Sequence, residues 1–159
     1  FELKNTSMKK IFAALLLTSA MGIKAHYGTI NATLDQLEEK KGLNKNLSNV
    51  VIDDVKFVLI KDFDDHIERN FIIIKGNLAT YVEVFDDKKT GDTSSNVFTG
   101  DVVRSKNQIL SLRADELEGK KLPLPIAKTF LMTEQKKILY LIDINTKERW
   151  IEESALNKK

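Results

Sequence analysis

The sequence predicts a mostly β protein: an antiparallel meander of about eight strands forming a barrel or sandwich, with one short N-terminal helix. Three observations lead there. Beyond residue 50 the apolar residues come in short runs, each of strand length. Compact turn signals separate these runs, and no helix-length crossover of the kind parallel strands require lies between them. Across residues 78–85, Leu78, Thr80, Val82 and Val84 alternate with Ala79, Tyr81, Glu83 and Phe85, the period of two that puts successive side chains on opposite faces.

The helix is read at residues 34–41. Thr33 can cap it, Asp35 comes early, Lys40 and Lys41 come late, and Gly42 stops it. Leu34 and Leu37, three apart, share a face. The asparagine-rich stretch 44–49 reads as a loop.

Strands follow at 56–61, 67–75, 78–85, 96–104, 108–114, 127–133, 138–144 and 148–152. Gly76-Asn77 makes a tight turn between the second and third. Residues 86–95 form a longer polar connection. Residues 115–118 read as a single helical turn closed by Gly119, and Gly100 inside a strand marks a bulge. Pro123 and Pro125 bracket Leu124, which favours extended chain and disfavours central sheet pairing, because proline has no N–H to donate.

Residues 8–25 read as a secretory signal peptide. Lys9 and Lys10 supply the basic start, Ile11 to Leu17 an unbroken apolar run, and Ala20, Gly22 and Ala25 the small residues at the cut. Cleavage falls after Ala25 or after Gly22. The first coincides with the end of apolar character at Lys24 and His26; the second places Ala20 at the minus-three position. The run is shorter than the roughly 20 apolar residues that cross a bilayer, so no stable membrane span remains after processing. Phe1 to Ser7 precede Met8 as upstream sequence. The chain thus divides into upstream residues 1–7, leader 8–25, helix and loop 26–49, and an all-β domain 50–159, with a periplasmic or secreted destination.

Removing residues 1–25 takes four of the 25 basic residues and one of the 23 acidic ones, leaving 21 and 22. The near-neutral remainder lacks the basic excess of a nucleic-acid binder. There is no cysteine, so stability must come from packing and sheet hydrogen bonds, and a thiol nucleophile is excluded. No serine sits in a nucleophile-elbow pattern and no cofactor motif is present, which argues against an enzyme.

Two constellations stand out. Asp64, Asp65, His66 and Glu68 bring carboxylates and an imidazole together as weak metal-ligand candidates; the plainer reading is a polar hairpin turn. Tyr81, Arg113, Tyr140 and Trp150 are candidate ligand or partner contacts, because aromatics and arginine anchor interfaces. The plainer reading there places Trp150 in the core, with Glu148 and Arg149 facing water. Residues 86–92 fail as a calcium loop: with counting from Asp86, Lys88 occupies the third position and Val97 the twelfth.

The segments YVEVFDD (81–87), ILSLRADELEGKK (109–121) and ILYLIDINTKERWIEESA (138–155) resemble small signal-peptide-bearing exported proteins of flavobacteria. That resemblance implies export and assigns no functional residue. The meander is similar in architecture to lipocalin-like barrels, without a Gly-x-Trp at the first strand. The expectation is therefore an exported, non-enzymatic β-domain that needs no cofactor and binds a small apolar ligand or an envelope protein. An inhibitor or immunity-type protein acting through its loops is a second reading, and a metal-assisted hydrolase using residues 64–68 a third.

Overall fold

The computed structural model describes residues 20–158. The upstream segment and the leader as far as residue 19 lie outside the described residues. Helix α1 (Ala20–Lys41) leads into eight strands: β1 (Lys56–Asp62), β2 (His66–Lys75), β3 (Leu78–Asp87), β4 (Thr93–Ser105), β5 (Ile109–Leu117), β6 (Lys120–Gln135), β7 (Ile138–Asp143) and β8 (Arg149–Glu152). A one-turn helix, α2 (Glu153–Leu156), ends the order.

Every strand pairs antiparallel with its sequence neighbour, and β8 returns to β1 through Phe57 opposite Glu152 and Val58 opposite Ile151. The sheet is a closed barrel, which leaves no open edge and decides against a sandwich. Tyr81 on β3, Phe130 on β6 and Trp150 on β8 meet although their strands are not neighbours, with 5.9 Å between the Tyr81 and Trp150 centroids and again between Phe130 and Trp150. Such contacts cross the barrel interior. Around them Phe57, Ile72, Ile74, Leu110, Met132 and Leu141 fill one half of it.

Helix α1 is far longer than the eight residues expected from Thr33 onward. Its buried stripe, Ile23, Tyr27, Leu34 and Leu37, keeps helical spacing and begins inside the segment assigned to the leader. Burying each of Ile23, Leu34 and Leu37 is worth about 1.5–3 kcal/mol, which outweighs the weaker helix propensity of Thr29 and Thr33 within the span. Thr33 is therefore interior and no cap; its hydroxyl donates to the Thr29 carbonyl at 3.0 Å. The expected stop is observed: Gly42 adopts φ +71° and its N–H donates to the Glu38 carbonyl at 2.8 Å.

The region 44–50 closes one end of the barrel. Arg104 donates to the carbonyls of Leu47 (2.7 Å) and Val50 (2.5 Å), and the Thr133 hydroxyl accepts the Asn44 N–H at 3.0 Å. Leu47 is buried there.

Two further readings change. Residues 115–118 form no helical turn: β5 runs on to Leu117 and turns tightly into β6 through Glu118 and Gly119, at φ +55° and +82°. Two successive positive φ values suit the twist of a two-residue hairpin. The connection between β3 and β4 is also shorter than residues 86–95, because Asp86 on β3 pairs with Thr93 on β4 and accepts its hydroxyl at 2.8 Å.

The prolines sit where pairing lapses. Ala114 pairs with Ile126 and Glu116 with Lys121, so Leu122 to Pro125 bulge out opposite Asp115. Gly100 does mark a bulge, with the register shifting beside it. A Cβ there would stand 1.9 Å from the Arg113 carbonyl oxygen, so only glycine fits.

Candidate functional site

The strand directions place the loops after β1, β3, β5 and β7 at the end of the barrel opposite residues 44–50. There the inward positions turn polar. Lys61, Glu68, Asn70, Glu83, Asn96, Lys128 and Glu148, with Tyr81 and Phe85, line a cup of about 530 Å³. Register explains their convergence: Lys61 faces Glu68, Glu68 faces Phe85, and Glu83 faces Asn96 across the ladders. Paired residues of an antiparallel sheet share a face, so this face leads inward with Tyr81.

Charges in the cup are unevenly compensated. Lys61 lies 3.0 Å from Glu68 and 3.5 Å from Glu148. Burial opposes the Lys61 charge, but these two carboxylates hold its ammonium above the ordinary lysine value. Burial also works against the Glu68 charge, yet the hydrogen bond from Lys61 keeps that carboxyl below the usual glutamate value. Lys128 stands 3.8 Å from Asp143 and 5.6 Å from the centre of the Tyr81 ring. The Tyr81 hydroxyl donates to Glu83 at 2.9 Å, and burial, then the Glu83 charge, pushes the phenol far above its ordinary value. Tyr81 thus stays a neutral donor.

Asn70 is only 6% exposed and lines the cup, and its amide makes no hydrogen bond among the described residues. In the barrel interior the Trp150 indole N–H is buried without an acceptor among the described residues. Leaving a buried donor such as this indole N–H unmet costs about 1–3 kcal/mol, whereas the Asn70 amide opens into the cup, where a ligand can meet it.

His66 stands near the rim of the cup, between the rings of Phe63 (4.5 Å, 21°) and Phe85 (4.4 Å, 18°). Its Nδ1 lies 2.6 Å from Asp65 and its Nε2 3.4 Å from Glu68. The Asp65 hydrogen bond, and then that of Glu68, raises the imidazole above its ordinary value. Asp64 is exposed and takes no part in this chain of contacts. Among the described residues no three such side chains converge to hold a metal; Asp65, His66 and Glu68 form a charged chain at the rim, with Asp64 apart from it.

The four expected contact residues are separated. Tyr81 and Trp150 meet inside the barrel, Arg113 is exposed on its outer wall, and Tyr140 faces outward beneath α1, donating to Glu38 at 2.7 Å. Neither Glu148 nor Arg149 simply faces water: Glu148 lines the cup and Arg149 is clamped against α1. The cup residues Lys61, Asn70, Glu83 and Lys128 escaped the sequence reading. The available signal was charge on the inward phase of strands, visible at Glu83 once Tyr81 is taken as inward.

A second groove, of about 510 Å³, lies between α1 and the outer wall at Leu131 and Ile142. Its acids, Asp35 and Glu38, are already bonded to Arg149. The cup is therefore the stronger candidate. No described helix is long and apolar enough to cross a membrane. The chain matches no protein-family model, no curated protein and no solved structure.

Proposed function

We propose that the protein is an exported binding barrel that takes a small polar ligand through its open end, without catalysing a reaction. The observation that carries this reading is Asn70: a residue only 6% exposed whose amide makes no hydrogen bond among the described residues and opens into a ring of charged side chains. Ordinary barrel interiors of this size are filled by their own side chains, as the other half of this one is. A polar lining favours a polar ligand over the apolar one expected from architecture alone, because apolar cargo would desolvate Lys61, Glu68, Glu83 and Glu148 without replacing their water.

Native mass spectrometry tests it. The protein, incubated with a fractionated small-molecule extract of an expressing cell, is compared with Asn70→Leu, which fills the cup with an apolar chain. Ligand mass retained by the wild type and lost by the variant supports the reading. Equal retention by both, or adducts of lipid alone, would overturn it.

Export rests on the leader pattern of residues 8–25. Burial of Ile23 and the 2.7 Å ion pair of Lys24 with Asp62 support a cut after Gly22 over one after Ala25, because the later cut would strip both from the docked helix. N-terminal sequencing of the exported protein decides between a start at Ile23 and one at His26. The reading as a protein inhibitor draws support from Phe63 and Phe85, both part-exposed beside His66 at the rim. It predicts a partner whose binding is lost on Phe63→Ser.

A further inference from the structure

The cup holds three carboxylates, Glu68, Glu83 and Glu148, against two ammonium groups, Lys61 and Lys128. Both lysines are engaged, Lys61 by Glu68 and Glu148, and Lys128 by Asp143 and the Tyr81 ring. Glu83 is different. It accepts the Tyr81 hydroxyl, and among the described residues it has no cation within ion-pair distance. Its neighbours across the ladders, Asn70 and Asn96, are neutral amides.

Taking the cup as the ligand site, we propose that its ligand is a small organic cation, an amine or guanidine whose charged end meets Glu83. Asn70 supplies the independent observation: only 6% exposed and with no hydrogen bond to its amide among the described residues, it offers a donor and an acceptor into the cup beside that charge. Phe85, 41% exposed, presents ring surface to the body of the ligand. An anion fits poorly, because it would have to displace Glu68 and Glu148 from Lys61, or Asp143 from Lys128, while itself facing Glu83. A neutral ligand would leave the Glu83 charge, sunk in the cup, with one neutral hydrogen bond and no counter-charge.

Three probes of matched shape separate these cases: benzylammonium, benzyl alcohol and benzoate, each titrated into the isotope-labelled protein with backbone amide shifts as the readout. Benzylammonium is expected to move the resonances of Asn70, Glu83 and Asn96, with at least about tenfold tighter binding than the alcohol, as a charge-assisted hydrogen bond implies. Benzoate is expected to leave them in place. Glu83→Gln keeps an acceptor for Tyr81 and should lower the amine's affinity to that of the alcohol, with the remaining spectrum unchanged. Should the alcohol or benzoate bind the cup as tightly as the amine, or should no probe move these residues, the cation assignment is overturned. The mass-spectrometric comparison with Asn70→Leu still decides separately whether the cup binds anything.

Discussion

Arg149 holds Glu38 through two parallel hydrogen bonds, Nε to Oε1 at 3.1 Å and Nη2 to Oε2 at 2.6 Å, and so ties the last strand of the barrel to helix α1. The same guanidinium reaches Asp35 at 2.6 Å and the Asn31 side chain at 2.9 Å. The Glu38 carboxylate also accepts the Tyr140 hydroxyl, and the Tyr27 hydroxyl donates to the Arg149 carbonyl at 2.7 Å. A helix lying on a closed barrel has no backbone bonds to it. Its position is set by apolar burial, by this cluster at its C-terminal half, and by the Lys24–Asp62 ion pair nearer its start.

Replacing Arg149 with Met keeps most of the stem's packing but leaves Glu38 half-buried without its cation. Breaking a largely buried charge pair from one side typically costs about 3–5 kcal/mol, and the remaining solvent contact of Glu38 places this case nearer 2–3. Urea unfolding should show the loss, and hydrogen exchange should show α1 amides opening ahead of the barrel. A variant as stable as wild type would mean that the apolar stripe and the Lys24–Asp62 pair suffice to position the helix.

Two glycines should respond in opposite directions to alanine. Gly28 lies within α1 with nothing within 4 Å of a new Cβ, so Gly28→Ala is expected to stabilise by about 0.5–1 kcal/mol through helix propensity and a less flexible unfolded chain. At Gly100 the new Cβ would overlap the Arg113 carbonyl oxygen and the Ala114 Cα, both backbone atoms that cannot step aside. Gly100→Ala should cost about 2 kcal/mol or more through the strain of overpacking. Thermal melts of the two variants on opposite sides of wild type would bear this out; a neutral Gly100→Ala would show that the bulge can re-register.

The barrel was legible because a meander writes its order into the chain: eight short runs between tight turns left few alternatives once no crossover helix appeared. Closure was not legible. Pairing of β8 with β1 joins residues far apart in sequence, and only two residue pairs define it. Helix α1 was truncated because its first apolar residues also complete a leader pattern, so one stretch satisfied two rules. The cup was missed for a related reason. Inward charge looks identical to outward charge until the phase of each strand is known, and β1, with four successive buried residues, shows no phase at all.

His66 gives the fold a pH dependence with a definite sign. Its imidazole is raised above the ordinary value by Asp65 first and Glu68 second. Stability from the charged ring is therefore fully present below its unfolded value of about 6.5 and is lost as pH rises through the higher folded value. The Asp65 carboxyl is lowered, chiefly by the hydrogen bond from His66, so its contribution runs the other way and is lost only as pH falls below the usual aspartate range. An NMR titration of the His66 ring should give a midpoint above 6.5, and Asp65→Asn should lower it more than Glu68→Gln. Equal effects, or a midpoint at or below 6.5, would contradict the geometry at the rim.

Trp150 is the single tryptophan, 1% exposed, with a buried indole N–H that meets no acceptor among the described residues. Truncation to alanine should cost about 3–5 kcal/mol, the range for opening a large cavity in a core. Trp150→Phe should cost much less, about 1–2 kcal/mol, because losing part of the ring is offset by removing a donor whose burial was itself unfavourable. Chemical denaturation of the two variants measures the difference. If phenylalanine proves as damaging as alanine, the indole N–H has a partner in solution, and that partner must reach it within the barrel below the cup. The same residue offers the readout: wild-type fluorescence should be blue-shifted and weakly quenched by iodide, and a cation binding at Glu83, the acceptor of the Tyr81 hydroxyl whose ring lies 5.9 Å from the indole, should alter it.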